Sequence, residues 1–402
     1  MSLASLHGTT SPQALRRAAA EFIALVGGET WRRRMGQLAE QIAAQRIAGR
    51  VARERHALEL AIDRLATSEP LSPTAAECAV SALAAEASAV RRRLSPAGQT
   101  RFDERLAEAL CGDGTLVPLF HLLRTAARQR LAGFDVRYSG LDDGTRFDLL
   151  LAREGREAEV ACAVFSADEG RWVHKPDWFA LVNRINPDLQ GWLAAHPGRY
   201  LLKVTLPEGL DQARNLAAVQ ARIGALLAGE RKSDHSETAV LRLDPLLVAQ
   251  AEAGHRALLG RLKAQFGEET HFAVASGEGS LFVLAARASR PNEIAAVLQR
   301  RLAELPSRLT GARPGILAVF IEDTEPAEWR ALRQRLELEA AARNFLTAPE
   351  AKAVIAVSCA SRFELLGQSE PLAAKAGELR FRNPAHPKAK DAALLPAVES
   401  RV

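Results

Sequence analysis

The spacing of hydrophobic residues changes character near residue 133, and that change divides the chain. From 11 to about 131 the pattern is helical. Between Glu29 and Ala66, the residues Met35, Leu38, Ile42, Ile47, Val51, Leu58, Ile62 and Leu65 recur mostly at threes and fours, without a proline. That is the stripe of one long amphipathic helix. A Ser/Pro-rich break at 68–73 follows, then an Ala-rich helix over 74–94. A third helix opens at Ser95-Pro96 and closes at Cys111-Gly112-Asp113-Gly114, and a fourth runs over 116–131. The pattern predicts a helical N-terminal region, 1–131, serving as a bundle or as a coiled-coil arm that contacts a second copy or a partner protein.

After Gly133 alternation takes over. FDVRYS (134–139) reads as a strand and LDDGT (141–145) as a turn. RFDLLLARE (146–154) and EAEVACAVF (157–165) read as a hairpin around Gly155-Arg156. A helix over 176–193 with a break or kink at Pro187, a strand over 198–206 and a helix over 211–228 come next. The polar stretch ERKSDHS (230–236) predicts a loop and a boundary. Beyond it lie strands at 239–243, 316–322 and 353–359, a hairpin through Gly277-Glu278-Gly279, and helices at 292–305 and 326–343. The tail after Asn383, rich in Pro, Ala and Lys, predicts poor order. The chain therefore reads as α/β in four regions: helices over 1–131, a sheet core over 132–230, further α/β elements over 231–382, and a tail over 383–402. The later strands either extend the core sheet or build a second lobe.

Composition narrows the function classes without naming one. With 402 residues, 48% hydrophobic and 25% charged, the chain can bury cores without staples. No apolar run approaches the ~18 residues that cross a bilayer, and the N-terminus lacks an apolar leader region. A cytoplasmic protein with no membrane contact is expected. Cys78, Cys111, Cys162 and Cys359 form no CxxC pair, which argues against a zinc knuckle and for free thiols. The net charge of +5 permits a polyanionic partner, and 45 of the 53 basic residues are Arg, suited to bidentate phosphate contacts. With 76 Ala in the same chain, GC-rich codon usage is the main account of that bias. No phosphate loop, nucleophile elbow, HExxH or dinucleotide fingerprint is present.

The segment GFDVRYSGLDDGTRFDLLLAREGREAEVACAVFSADEGRWVHKPDW (133–178) carries the one functional signal. It resembles the core of the PD-(D/E)XK nuclease superfamily. There a helix precedes a three-stranded meander and another helix follows it. An Asp sits on the second strand, and an acidic residue and a Lys stand two apart on the third. Asp148 stands where the family's Asp stands. Where versions of the third strand read E-V-E-C-K followed by S-x-D-x-G-R, this chain has Glu159-Val160-Ala161-Cys162-Ala163 followed by Ser166-Ala167-Asp168-Glu169-Gly170-Arg171. The acidic and basic positions are both Ala. A second register makes Glu159 the acid and puts Ala161 in place of the Lys. Period two puts Val160, Cys162 and Val164 on one, buried face, and Glu159, Ala161 and Ala163 on the other, open face.

The resemblance implies hydrolysis of phosphodiester bonds in DNA or RNA with Mg²⁺ (or Mn²⁺), Asp148 being the metal ligand left. The catalytic positions would be Asp148, Glu159, Ala161 and Ala163, with the centre inactive as this sequence stands. The other reading is a non-catalytic nucleic-acid-binding or scaffold protein acting with a partner. A role in antiviral or mobile-element defence follows from the class alone. Arg171, His174 and Lys175, opening the next helix, are expected to meet the phosphate backbone. Asp142 and Asp143 read as extra carboxylates or as a hairpin turn. Glu104 and Glu108 read as an extra acid or a solvated face, and the triplets Arg32–Arg34 and Arg91–Arg93 as phosphate contacts or surface. Trp172 and Trp178 read as stacking platforms or core, and His121 and His271 as core residues. Restoring the acid and the Lys (Ala161→Glu with Ala163→Lys) is expected to create Mg²⁺-dependent cleavage. The reading requires Asp148, Ala161 and Ala163 to share one concave pocket.

Overall fold

The computed structural model describes residues 11–44, 48–68, 73–211, 213–246, 255–277, 279–366 and 378–400. Among these, no helix is long and apolar enough to cross a membrane. The chain is α/β, as the change of period predicts, and divides into two compact units. One comprises 1–41, 53–167 and 295–402; the other comprises 42–52 and 168–294. Its strands are β1 (Asp135–Arg137), β2 (Leu149–Arg153), β3 (Arg156–Ser166), β4 (Arg199–Leu206), β5 (Ser233–His235), β6 (Val240–Pro245), β7 (His271–Gly277), β8 (Ser280–Ala288), β9 (Gly315–Glu322), β10 (Val354–Ser361) and β11 (Leu379–Arg382).

The first unit holds the sheet β1-β2-β3-β9-β10-β11. β1, β2 and β3 form the expected antiparallel meander. β3 then pairs in parallel with β9, and β9 with β10. This corrects the division at 230, since the core sheet takes strands from both sides of it. The runs that become β9 and β10 are apolar on both faces, and such strands belong in the middle of a covered parallel sheet. The hairpin turn falls one residue earlier than predicted. Arg153 pairs with Arg156, and Glu154 and Gly155 between them both have positive φ, 51° and 73°. Two positive φ values make the mirror-image turn whose twist matches the strands.

The helical region is no separate arm. Helices Pro12–Val26, Ala57–Thr67, Ala75–Arg93, Pro96–Ala109 and Val117–Leu131 bury Phe22, Ile62, Val80, Phe102 and Phe120 in one core with Leu149, Leu151, Val160 and Phe320 of the sheet. The helix predicted over 29–66 is instead Gly28–Ala44, Ala48–Arg55 and Ala57–Thr67, residues 45–47 lying outside those described. Its first and last pieces fold together. Trp31 Nε1 donates to Asp63 Oδ1 at 2.9 Å, and Arg34 meets His56 at 3.3 Å and Glu59 at 3.9 Å. Leu38, Leu58, Ile62 and Leu65 of the apolar stripe are buried within the chain. The tail is also ordered up to residue 400. Ala389, Leu394, Ala397 and Val398 are buried in the same core, and Arg380 Nη1 donates to the Pro396 carbonyl at 2.9 Å. The apolar run Ala392–Val398 is short but enough to dock.

The second unit holds the sheet β5-β6-β4-β8-β7. Helices Lys175–Ala195 and Leu216–Ala228 cover one face through Trp178, Leu181, Ile185 and Ile223. Helix His255–Phe266 packs Leu258 and Leu262 against Leu201 and Val283. Pro187 lies inside the first of these helices without ending it. The polar stretch 230–236 supplies the edge strand β5 and is not a boundary.

Candidate functional site

β2 parts from β3 at Asp148. The last paired residues are Leu149 and Val160, and before Asp148 the chain turns into the short helix Ser139–Asp142. Cys162, two residues farther along β3, faces that opening with its backbone N–H and C=O. Side chains take the place of the missing strand. Asp148 Oδ2 accepts from Cys162 N at 2.8 Å. Arg308, closing the 3₁₀ turn Leu305–Arg308, donates from Nη1 to the Cys162 carbonyl and from Nη2 to Asp148 Oδ2, both at 2.6 Å. Its Nε donates to the Arg146 carbonyl at 3.3 Å. Arg105, from helix Pro96–Ala109, donates to Asp148 Oδ1 from Nη2 at 3.3 Å and from Nη1 at 3.4 Å. Asp148 itself is 4% exposed. This wrap depends on Gly140, whose N–H donates to the Asp148 carbonyl at 3.0 Å. A Cβ at 140 would stand 2.9 Å from the Phe147 carbonyl oxygen and 3.0 Å from Asp148 Cα, so only glycine lets the two backbones approach.

A cavity of about 360 Å³ opens beside this cluster. Its walls include Arg105, Thr115, His121, Asp148, Cys162, Ala163 and Arg308, with apolar Leu119, Leu122 and Val164. His121 is buried, and its Nε2 lies 3.0 Å from the Ala318 carbonyl. That nitrogen must therefore carry the hydrogen, and Nδ1 is an acceptor with no partner. Burial pulls the imidazole pKa down to about 4, so the ring is neutral at pH 7. Burial, and next the charge of Asp148, push the Cys162 thiol well above its ordinary range, which makes it a poor nucleophile.

Glu322, at the end of β9, accepts from Thr115 Oγ1 at 3.2 Å. Burial, and then the neighbouring Asp323, raise its pKa from 4.5 to about 7. Between those two values the folded chain holds a proton that the unfolded chain has lost, so this group's contribution to stability falls as pH rises through the window. Glu322→Gln is expected to raise the melting temperature relative to the native chain more at pH 8 than at pH 5. An equal shift at both pH values in paired thermal melts would refute the assignment.

The structure brings together only part of the predicted set. Asp148 and Ala163 line the cavity. Ala161 does not: it is fully buried, opposite Leu317 of β9. The assignment of faces is thereby corrected, since Cys162 and Val164 border the cavity while Ala161 and Glu159 are closed in. The sheet is covered on both sides, so period two alone does not say which face is open. Glu159 accepts from Thr310 N at 2.8 Å and from Arg313 Nη1 at 3.4 Å, and so ties down the chain leading into β9 rather than facing the cavity. Arg171 and Lys175 are buried in the second unit, Arg171 paired with Asp168, and His174 stands half-buried at the N-cap position of the helix there, its side chain making no capping bond. Buried cations present no surface to a phosphate backbone, which corrects that expectation for Arg171 and Lys175.

Asp142 Oδ1 accepts from Ser95 N at 2.9 Å, tying its turn to the start of helix Pro96–Ala109, and Asp143 pairs with Arg137 at 2.8 Å. Glu104 is exposed, whereas Glu108 borders the cavity. Arg91 is held by Asp103 through two bonds of 2.7 Å, and Arg34 is buried. Trp178 is core, and Trp172 Nε1 donates to the Pro291 carbonyl at 3.1 Å. Arg105, Arg308 and Gly140 escaped sequence reasoning. The two arginines stand 43 and 160 residues from Asp148, and no local pattern marks them.

A divalent cation needs several oxygen donors. Here the Asp148 oxygens are engaged by two guanidinium groups and an amide, Ala163 supplies a methyl group, Ala161 lies outside the cavity, and among the described residues no cluster of three or more His, Cys, Asp or Glu could hold a metal. The residues present do not fit Mg²⁺ or Mn²⁺. No family model, no curated protein and no solved structure matches the chain.

Proposed function

We propose that this protein binds nucleic acid through a nuclease-like core that has no hydrolytic centre as the sequence stands. One observation carries the reading: Asp148 sits at the opening of a helix-preceded, three-stranded meander, beside a cavity bordered by two arginines. That is the order of elements, and the place for the Asp, which the resemblance implies. With a methyl group at 163 and no set of metal ligands among the described residues, the cavity lacks the metal that would activate a water. The arginines remain able to hold one. The side chains of Arg105 and Arg308 are 40% and 33% exposed, and guanidinium groups form charge-assisted, often bidentate bonds to phosphate oxygens.

Labelled single- and double-stranded DNA and RNA, titrated with the purified chain over a salt series, test this. Binding of at least one of them is expected, with affinity falling steeply with salt. Arg105→Ala is expected to weaken it about tenfold, the scale of one lost phosphate contact. With Mg²⁺ present, none of the four is expected to be cut. Absence of binding at low salt overturns the proposal. So does cleavage by the native chain that Asp148→Asn abolishes.

A further inference from the structure

We infer that Arg308 is the cation of this cavity, standing where a divalent ion would have to stand and excluding it. Its guanidinium bridges Asp148 Oδ2 and the Cys162 carbonyl at 2.6 Å each, and a third bond to the Arg146 carbonyl fixes its plane. Those first two oxygens are the hard donors the cavity offers at the strand opening. A metal seated on them would lie within about 4 Å of a permanent positive charge, a strongly repulsive approach in a partly buried site. It would also have to break two short charge-assisted bonds. Arg105 adds a second positive charge on the other carboxylate oxygen. The site thus lacks a metal because a guanidinium is already in place on the oxygens a cation would need, and Ala163 adds no donor. It follows that Ala161→Glu with Ala163→Lys does not suffice to create a metal centre while Arg308 stays. Resting on the proposed function, it also follows that nucleic acid is held here without metal.

Titration with Mn²⁺, followed by electron paramagnetic resonance, tests the inference without any activity assay. The samples are the native chain, Arg308→Met, which keeps the aliphatic stem, Arg308→Gln, which keeps an amide donor, and Arg308→Met with Asp148→Asn. The native chain and the double variant are expected to bind no Mn²⁺. Each single variant is expected to bind one ion at least about tenfold more tightly than the limit that the native titration sets, as relief of one adjacent charge implies. A native chain that binds Mn²⁺ through Asp148 overturns the inference by itself, and so does a folded single variant that binds none. Oligonucleotide titrations on the same samples separate the two claims. If no oligonucleotide binds while the Mn²⁺ pattern holds, the nucleic-acid reading fails and the role of Arg308 stands. If the native chain binds oligonucleotide only when Mg²⁺ is present, the role of Arg308 fails and the nucleic-acid reading stands.

Discussion

Asp148→Ala is expected to destabilise the protein by about 3–5 kcal/mol, the cost of stripping one partner from a buried ionic cluster. The carboxylate takes bonds from Cys162 N, Arg308 and Arg105. Without it, the Cys162 amide at the strand opening loses its acceptor and two guanidinium groups lose their counter-charge. An unsatisfied buried donor alone costs about 1–3 kcal/mol. Arg308→Met in the same chain is expected to recover part of the loss, because it removes the cation left behind, and the non-additivity of the pair measures the coupling. Urea unfolding of the native chain, both single variants and the double variant reads this directly. A loss below about 1 kcal/mol, the range of an exposed ion pair, would mean that Asp148 does not hold the strand opening together.

Glu378→Ala is expected to cost a similar amount, about 3–5 kcal/mol at pH 7, with a pH dependence of its own. Glu378 is buried beside β11, where Arg124 Nη1 lies 3.0 Å away, Arg128 Nε 3.3 Å and Arg380 Nη2 3.5 Å. Burial by itself would raise its pKa; the guanidinium groups of Arg124, Arg128 and Arg380 outweigh it and hold the value at about 2, against 4.5 for a free carboxyl. A depressed pKa contributes stability that is complete above 4.5 and is lost as pH falls from 4.5 towards 2. The gap between native and Glu378→Ala proteins should therefore be widest near neutrality and narrow on acidification. Denaturant midpoints of both proteins between pH 3 and pH 7 test it, and a constant gap across that range would disprove the charge assignment. Glu378→Gln keeps the shape and removes the charge, so it should follow the Ala variant in its pH behaviour with a smaller overall loss.

The cluster at Asp148 shows why a local motif is a partial guide. A short stretch around a hairpin was enough to single out Asp148 and to expect a concave pocket beside it. The groups that decide what this carboxylate can do are Arg105, on a helix that precedes the meander, and Arg308, which the chain reaches only after building the whole second unit. Neither has a spacing to Asp148 that a window of sequence could register. The same limit produced the error at Ala161. Alternation places it on the face opposite Cys162, and the pairing does so too, but which face meets a cavity depends on what covers the sheet.

What the sequence determined by itself is whatever periodicity reports: helices up to residue 131, the meander of β1 to β3, the buried runs of β9 and β10, and hence the α/β class. These depend on side chains a few residues apart meeting on one face, an interaction written in local order. Tertiary structure alone decided that β3 takes β9 as its neighbour, that Trp31, Leu58 and Ile62 share one core, that Ala389, Leu394, Ala397 and Val398 dock on it, and that Asp148 is answered by arginines rather than left open to a metal. Those outcomes follow from the closing of long loops and from the requirement that every buried polar group find a partner, and both are settled only when distant parts of the chain are in contact.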